Sequence, residues 1–548
     1  MLTRRAFHGH LLAALAAASA PRGVFAITTT AAQDLDELWL NRLSFGANAA
    51  SRDAIAHRGR AAWLEDQLAM GSSDPGLEAR LAAARLRIAY EAGQDEYGNR
   101  WGAVDELRPL GFLASDPADL VPLVTWDSKT GMDYSERARP ALEVTAASMI
   151  RAVHAEAQLR EVMTQFWHDH FNVNAQKDET TAAFFASHDA VMRTHAFGNF
   201  RALLGEVARS PAMLYYLNNA DSVASPANEN YARELLELHT LGADNYLNDR
   251  YGHWRDVPGA EAGLAEGYLD ADVYEVARAF TGWSVGDGRW IAEGEEAPRT
   301  GRFNYVASWH DPYQKRILGR EFAPNRGPME DGEEVLDLLA RHPGTARFLC
   351  AKIARRLLAD DPDPALVDRL ATVFLDQSDA DDQIAQVIRA LVLSAEFEAA
   401  PTKLRRPFEL MAALYRASGA EVTGTELSFQ WQLIRAGWRQ HEFGPPTGHP
   451  DRAAAWTGAS TLNRMVDIAL YGHDDWYGVA TADLTVFAPD ETVSAFFARH
   501  AAALVPRGRR RWPTRLSRSS ASIRRFRWPG SPRKSGMAGR RRRLPSPR

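Results

Sequence analysis

Two glutamates three residues apart, Glu234 and Glu237, stand with Asn230, Arg233 and His239 in the run NENYARELLELHTLG at residues 228–242. On a helix, side chains three apart lie roughly 5–6 Å from each other, and two carboxylates that close repel unless a proton, cation or metal lies between them. Three kinds of chemistry suit such a set. Carboxylates with an imidazole from His170 or His239 suit a divalent metal such as Zn²⁺, Mn²⁺ or Fe²⁺. Without a metal, the pair could act as acid and base in glycoside cleavage. A structural use is equally open: Arg233 and Glu237 are four apart and could pair, while Glu234 bridges a neighbouring helix.

A second cluster is FWHDHF at residues 166–171. Helical spacing puts Val162, Met163, Phe166, Trp167, His170 and Phe171 on one apolar face, so His170 is expected on the core side and His168 and Asp169 away from it. His168 with Asp169 has the composition of a base and its orienting carboxylate. No HExxH pair is present, and Glu237-Leu238-His239 lacks the Glu-x-x-His spacing of di-iron bundles. His188 and His195, seven apart beside Phe184 and Met192, read as core or surface filler. Further on, Trp283, with Trp290 and Trp309, could stack on a sugar, and His310, Asp311 and Lys315 could bind an anion or sugar or simply form a surface turn.

The elements that must position these groups are helices. Apolar residues recur at i, i+3 and i+4 over residues 35–43, 60–70, 77–90, 141–155, 159–171, 180–195, 200–209, 230–241, 272–281, 333–341, 344–358, 365–375, 380–393 and 407–417. Residues 302–306 are the best strand candidate. The expectation is a mainly α, multi-helix globular body with long irregular loops and little β. Loops at 94–137, 245–268, 286–300 and 442–456 are rich in Gly, Pro, Asp and aromatics, and the middle two are expected to rim the site.

The two blocks above resemble a bacterial family of exported α-helical proteins, DUF1800, as do DVYEVARAFTGW (272–283), LNRLSFG (40–46), HDPYQKRILG (310–319), HPGTARFLCAKIARRL (342–357) and STLNRM (460–465). The resemblance runs from about residue 35 to about 475. It implies an exported helical protein without a settled activity. It also implies a partner, since family members are often encoded beside an exported sulfatase- or phosphatase-like protein.

The ends carry their own signals. Thr3-Arg4-Arg5-Ala6-Phe7, a short apolar stretch and Val24-Phe25-Ala26 form a twin-arginine leader over residues 1–26, which predicts a periplasmic or extracellular protein. Residues 27–505 read as one body. Residues 506–548 hold fifteen Arg and one Lys without Asp or Glu, the composition of an off-frame, disordered tail. Without that tail the chain has 48 basic and 70 acidic side chains, a net charge of −22, which argues against nucleic acid as a partner. No stretch is apolar enough to be an integral membrane segment. Cys350 is the one cysteine, so no internal disulfide forms, and its apolar neighbours mark a buried thiol. Two functions fit: a carboxylate and histidine hydrolase, metal-assisted or not, acting on an envelope carbohydrate or ester, or a non-catalytic envelope binding or assembly protein.

Overall fold

Side chains at their first turns set where the helices of this chain begin. Asp178 accepts from the Thr181 amide (2.7 Å) to start Glu179–Thr194, and Asn199 accepts from Ala202 to start Phe200–Arg209. His342 caps Pro343–Leu357, accepting from the Gly344 amide on Nδ1 (2.9 Å), with Pro343 filling a position whose amide would be unbonded anyway. The structure, a computed structural model, describes residues 34–71, 73–125, 129–423, 427–471 and 479–480. The leader at 1–26 and the tail at 506–548 lie outside the described residues.

The fold is mainly α, as its periodicity predicts. At its centre, Arg139–His154 is buried almost all round by Ala141, Val144, Ala147, Met149, Ile150 and Val153. It packs against Glu179–Thr194 and Pro407–Ser418, and Gln158–His170 lies beside both of the first two helices. One hydrophobic cluster extends from Leu38 to Ile468. Among the described residues the strands form six short antiparallel pairs, including Trp283–Asp287 with Arg299–Tyr305 and Lys315–Ile317 with Arg320–Phe322. No helix among the described residues is long and apolar enough to cross a membrane.

Two elements differ from expectation. Residues 77–90 do not make one helix: Pro75–Ala83 is helical, and Arg85–Tyr90 is a strand paired with Val104–Pro109. Its buried side chains are Leu86 and Ile88, two apart, which is the period of a half-buried strand. The helix expected over 230–241 also changes character part-way. Glu229–Glu234 is α-helical, but Leu235–Thr240 is a π-helical turn, with the Leu241 amide donating to Leu236 (2.9 Å) and Thr240 Oγ1 to the Leu235 carbonyl (2.6 Å). Such a turn inserts an extra residue and rotates the side chains beyond it, and it is frequent at functional sites.

Candidate functional site

His168, Asp169 and His170 leave the end of one helix in three directions. His168 is buried and pairs through Nε2 with Asp189 Oδ1 (2.9 Å), whose other oxygen accepts from Arg151 (3.1 Å) and Arg193 (2.8 Å). The expectation that His168 points away from the core is corrected: charge partners, rather than apolar neighbours, make its burial tolerable. Asp169 is not its carboxylate. Asp169 accepts from Arg406 Nη1 (2.8 Å) and from His449 Nδ1 (3.2 Å), while His449 Nε2 accepts from the Arg439 amide (3.2 Å). Burial alone would raise the Asp169 pKa, but Arg406 and His449 overcome it and hold the carboxyl well below its ordinary value. Each residue of the expected pair therefore has a partner of the expected type, contributed by a distant segment.

His170 lies on the core side, as its spacing predicts, at 1% exposure. Its Nε2 donates to the His239 carbonyl (3.1 Å), which leaves Nδ1 to accept from Lys352 Nζ (2.8 Å). Burial and the Lys352 charge push its pKa well below the usual histidine value, so the ring is neutral. Lys352 is itself lowered to about 8 by burial, with the Asp169 charge opposing.

Glu234, at the end of the α-helix, and Glu237, in the π turn, lie half-buried at the surface, and neither makes an ion pair or hydrogen bond with another of the described residues. Burial, then repulsion from Glu237, raises the Glu234 pKa to about 7, with Arg233 opposing. Arg233 does not reach Glu237. It turns instead to Glu229 (3.5 Å) and Asp270 (3.3 Å). Asn230 is exposed, its amide near Asn218 Oδ1 (3.4 Å). His239 is fully buried against Phe171 and Tyr231, neither ring nitrogen has a hydrogen-bond partner, and burial, then Lys352, takes its pKa to about 3.

A metal held by Glu234 and Glu237 with His170 or His239 does not fit these positions. Both nitrogens of His170 are engaged, and no hydrogen bond links either carboxylate to a histidine. Among the described residues, no group of three or more His, Cys, Asp or Glu side chains is arranged to hold a metal ion.

The residues considered for substrate contact form a closed set instead. Trp283 is fully buried against Phe280 and Phe303 and presents no ring face to a sugar. Lys315 spends its three hydrogens on the Asp311 carbonyl (2.7 Å), the Tyr313 carbonyl (2.9 Å) and Asp331 (2.6 Å). The Asp311 carboxylate receives two bonds from Arg278 (2.8 and 3.0 Å), and His310 lies between the Thr281 carbonyl (3.0 Å) and Asp331 (3.3 Å). His188 is also buried, held by Ser210 (3.0 Å) and the Phe171 carbonyl (3.3 Å).

The residues that complete this region, Lys352, Arg355, Arg406 and His449, did not stand out individually in the sequence. Lys352 and Arg355 lie within the 342–357 block and His449 within the 442–456 loop, the signals that point nearest to them. Gly448 fixes that loop: at φ +69° it sits so near the Asp169 carbonyl oxygen that an added Cβ would lie 1.9 Å from it.

Neither the curated proteins nor the solved structures include a match to this chain. The model of one family, described as a protein of unknown function (DUF1800), matches residues 38–522, most of the length, and the chain belongs to that family.

Proposed function

We propose that this is an exported hydrolase in which Glu234 is the proton-holding acid and Glu237 its carboxylate partner, acting on an envelope carbohydrate or ester. The observation that carries the reading is two half-buried carboxyls three residues apart, neither bonded to a counter-charge among the described residues; burial and Glu237 raise Glu234 to about 7. A general acid works best when its pKa lies near the working pH, and paired carboxylates with separated roles are the usual instruments of glycoside cleavage. His170 and His239, turned inward, serve the wall behind the turn rather than the chemistry.

The test is a panel of chromogenic glycosides and esters assayed between pH 5 and 9. Turnover of at least one should fall as pH rises through about 7, because Glu234 acts only while protonated. Glu234→Gln should abolish it, and chelation should leave it unchanged, since the donors do not converge on a metal. No turnover by the wild type, or full turnover by the variant, overturns the proposal.

A second reading is an envelope binding or assembly protein that partners a sulfatase- or phosphatase-like exported protein. The closed pairs around His168 and Lys315 favour it, being the rigid interior a scaffold needs. Co-purification of such a partner from the native envelope, without turnover, selects this reading. Export itself is proposed to use the twin-arginine route: Arg4→Lys with Arg5→Lys should leave precursor in the cytoplasm, and undiminished mature protein outside it refutes that route.

A further inference from the structure

Beside His170, a cavity of about 240 Å³ opens between Phe166, the Pro343–Leu357 helix, Arg406 and the loop from Thr447 to Arg452. Its walls carry five cations, Lys352, Arg355, Arg356, Arg406 and Arg452, against two carboxylates, Asp169 and Asp451. Several of these charges are already matched. Arg356 pairs with Glu409, Arg452 with Asp361, and Asp451 with Lys403. Arg406, only 2% exposed, reaches Glu409 (2.8 Å) and Asp169 (2.8 Å), and its Nη2 is buried without a partner among the described residues. Lys352 spends one hydrogen on His170, and Arg355 one on the Asp360 carbonyl (3.0 Å), and neither pairs with a carboxylate among the described residues. Burying cations without a bonded counter-charge is costly, so two such cations, Lys352 and Arg355, on the wall of one cavity suit an anion.

We propose that this cavity binds a tetrahedral oxyanion, phosphate or sulfate, either free or as the monoester head of a larger ligand. Lys352 supplies a compact charge and Arg355 a planar fork of the kind that matches phosphate and sulfate oxygens, while Arg406, held by Glu409 and Asp169, adds positive charge to the wall. His170 is a positioning residue: its bond to the His239 carbonyl fixes Nδ1 as an acceptor and aims the Lys352 ammonium. Burial lowers Lys352 to about 8, a cost to its charged form that a bound anion would offset. The volume leaves space beside the ion for a group that carries it. Residues 1–505 carry a net charge of −22, which makes this cationic pocket a local exception that an anion must find by shape as well as charge. Neither Glu234 nor Glu237 lines it, so it stands apart from the acid–base proposal.

The experiment is calorimetric titration and thermal melting of the full chain with inorganic phosphate, sulfate and glucose 6-phosphate, with ionic strength held constant by chloride. The wild type should bind at least one of these and melt higher in it than in chloride. Lys352→Gln, which keeps a donor for His170, and Arg355→Gln, nearer the surface, should each weaken the anion about tenfold, the loss of one charge-assisted contact. Both should melt as the wild type does in chloride alone. Tighter glucose 6-phosphate than phosphate assigns the site to a monoester, and the reverse order to a free anion. Absence of binding by all three probes overturns the proposal, as does undiminished binding in whichever of the two variants folds.

Discussion

On one side of the Gln158–His170 helix, His168 sits among Asp189, Arg151 and Arg193; on the other, Asp169 and His170 face Lys352, Arg355 and Arg406. The first set is closed, since every charge has an opposite charge in hydrogen-bonding distance and Arg193 extends it to Glu161 (2.7 Å). The second carries surplus positive charge around a cavity. The Glu234–Glu237 turn is a third case, with surplus negative charge at the surface. Closure holds a backbone in place, whereas surplus leaves groups available to a ligand, and the two uses respond differently when a charge is removed.

The largest effect is expected where the set is closed. Asp189→Asn keeps the shape but leaves His168 and Arg151 without the carboxylate they share and Arg193 with Glu161 alone, and should destabilise the fold by about 3–5 kcal/mol. Burial alone would raise the Asp189 pKa, but Arg193, His168 and Arg151 hold it well below the ordinary value. A depressed carboxyl contributes stability that is present above its unfolded pKa and lost as pH falls, so the gap between wild type and variant should narrow on acidification. Denaturant melts at pH 7 and pH 3 measure both. A loss below about 1 kcal/mol at pH 7 would show that the set is not closed in the way its distances imply.

Gly448→Ala comes next. The substitution places a methyl group against the Asp169 carbonyl at a left-handed backbone position and should cost roughly 1–3 kcal/mol. Because the same loop carries His449 and walls the cavity, anion binding should weaken with it. An alanine variant as stable as wild type would mean that the loop is not pinned on Asp169.

Glu234→Gln is smaller and of opposite sign. The folded-state pKa of Glu234 lies above its ordinary 4.5, so its contribution is most favourable below that value and is lost as pH rises through about 7. Above pH 7 the glutamine variant should therefore be the more stable protein, by on the order of 1 kcal/mol once its partial exposure is discounted. At pH 4 the two should melt together. A variant less stable at pH 8 would place an unseen counter-charge on Glu234 and end its role as an unpaired acid.

How much could be read from the sequence depends on how far each interaction reaches along the chain. Helices such as Phe200–Arg209 and Pro407–Ser418 were legible because capping and i, i+4 burial are local. Arg85–Tyr90 was not, since Leu77, Leu81, Ala84 and Ile88 also fall on one helical face. The π turn escaped because 3.6-residue spacing presumes the register that the turn breaks. The site was legible as residue types but not as pairs. Asp169 meets Arg406 and His449, and His170 meets Lys352, each from well over a hundred residues away. Trp283 and Lys315, chosen for chemical type, are buried by near neighbours in the chain, Phe280 and Phe303 for the one and Asp311, Tyr313 and Asp331 for the other.

The smallest effect is the sharpest probe of the surplus negative site. Arg233 is partly exposed and its pairs with Glu229 and Asp270 are long, so Arg233→Ala should change stability by no more than about 0.5–1 kcal/mol. It is nonetheless the one charge that opposes the raised pKa of Glu234. Removing it should push the Glu234 carboxyl further upward, extending the protonated form to higher pH. The descending limb of the pH–rate profile, or the Glu234 carboxyl signal by carbon NMR, should move in that direction while the melting temperature barely shifts. In the closed set around Asp189, by contrast, loss of either arginine should lower the melting point first. A limb that stays in place in Arg233→Ala would mean that the titrating group is not Glu234, and the carboxylates of the π turn would lose their claim to chemistry.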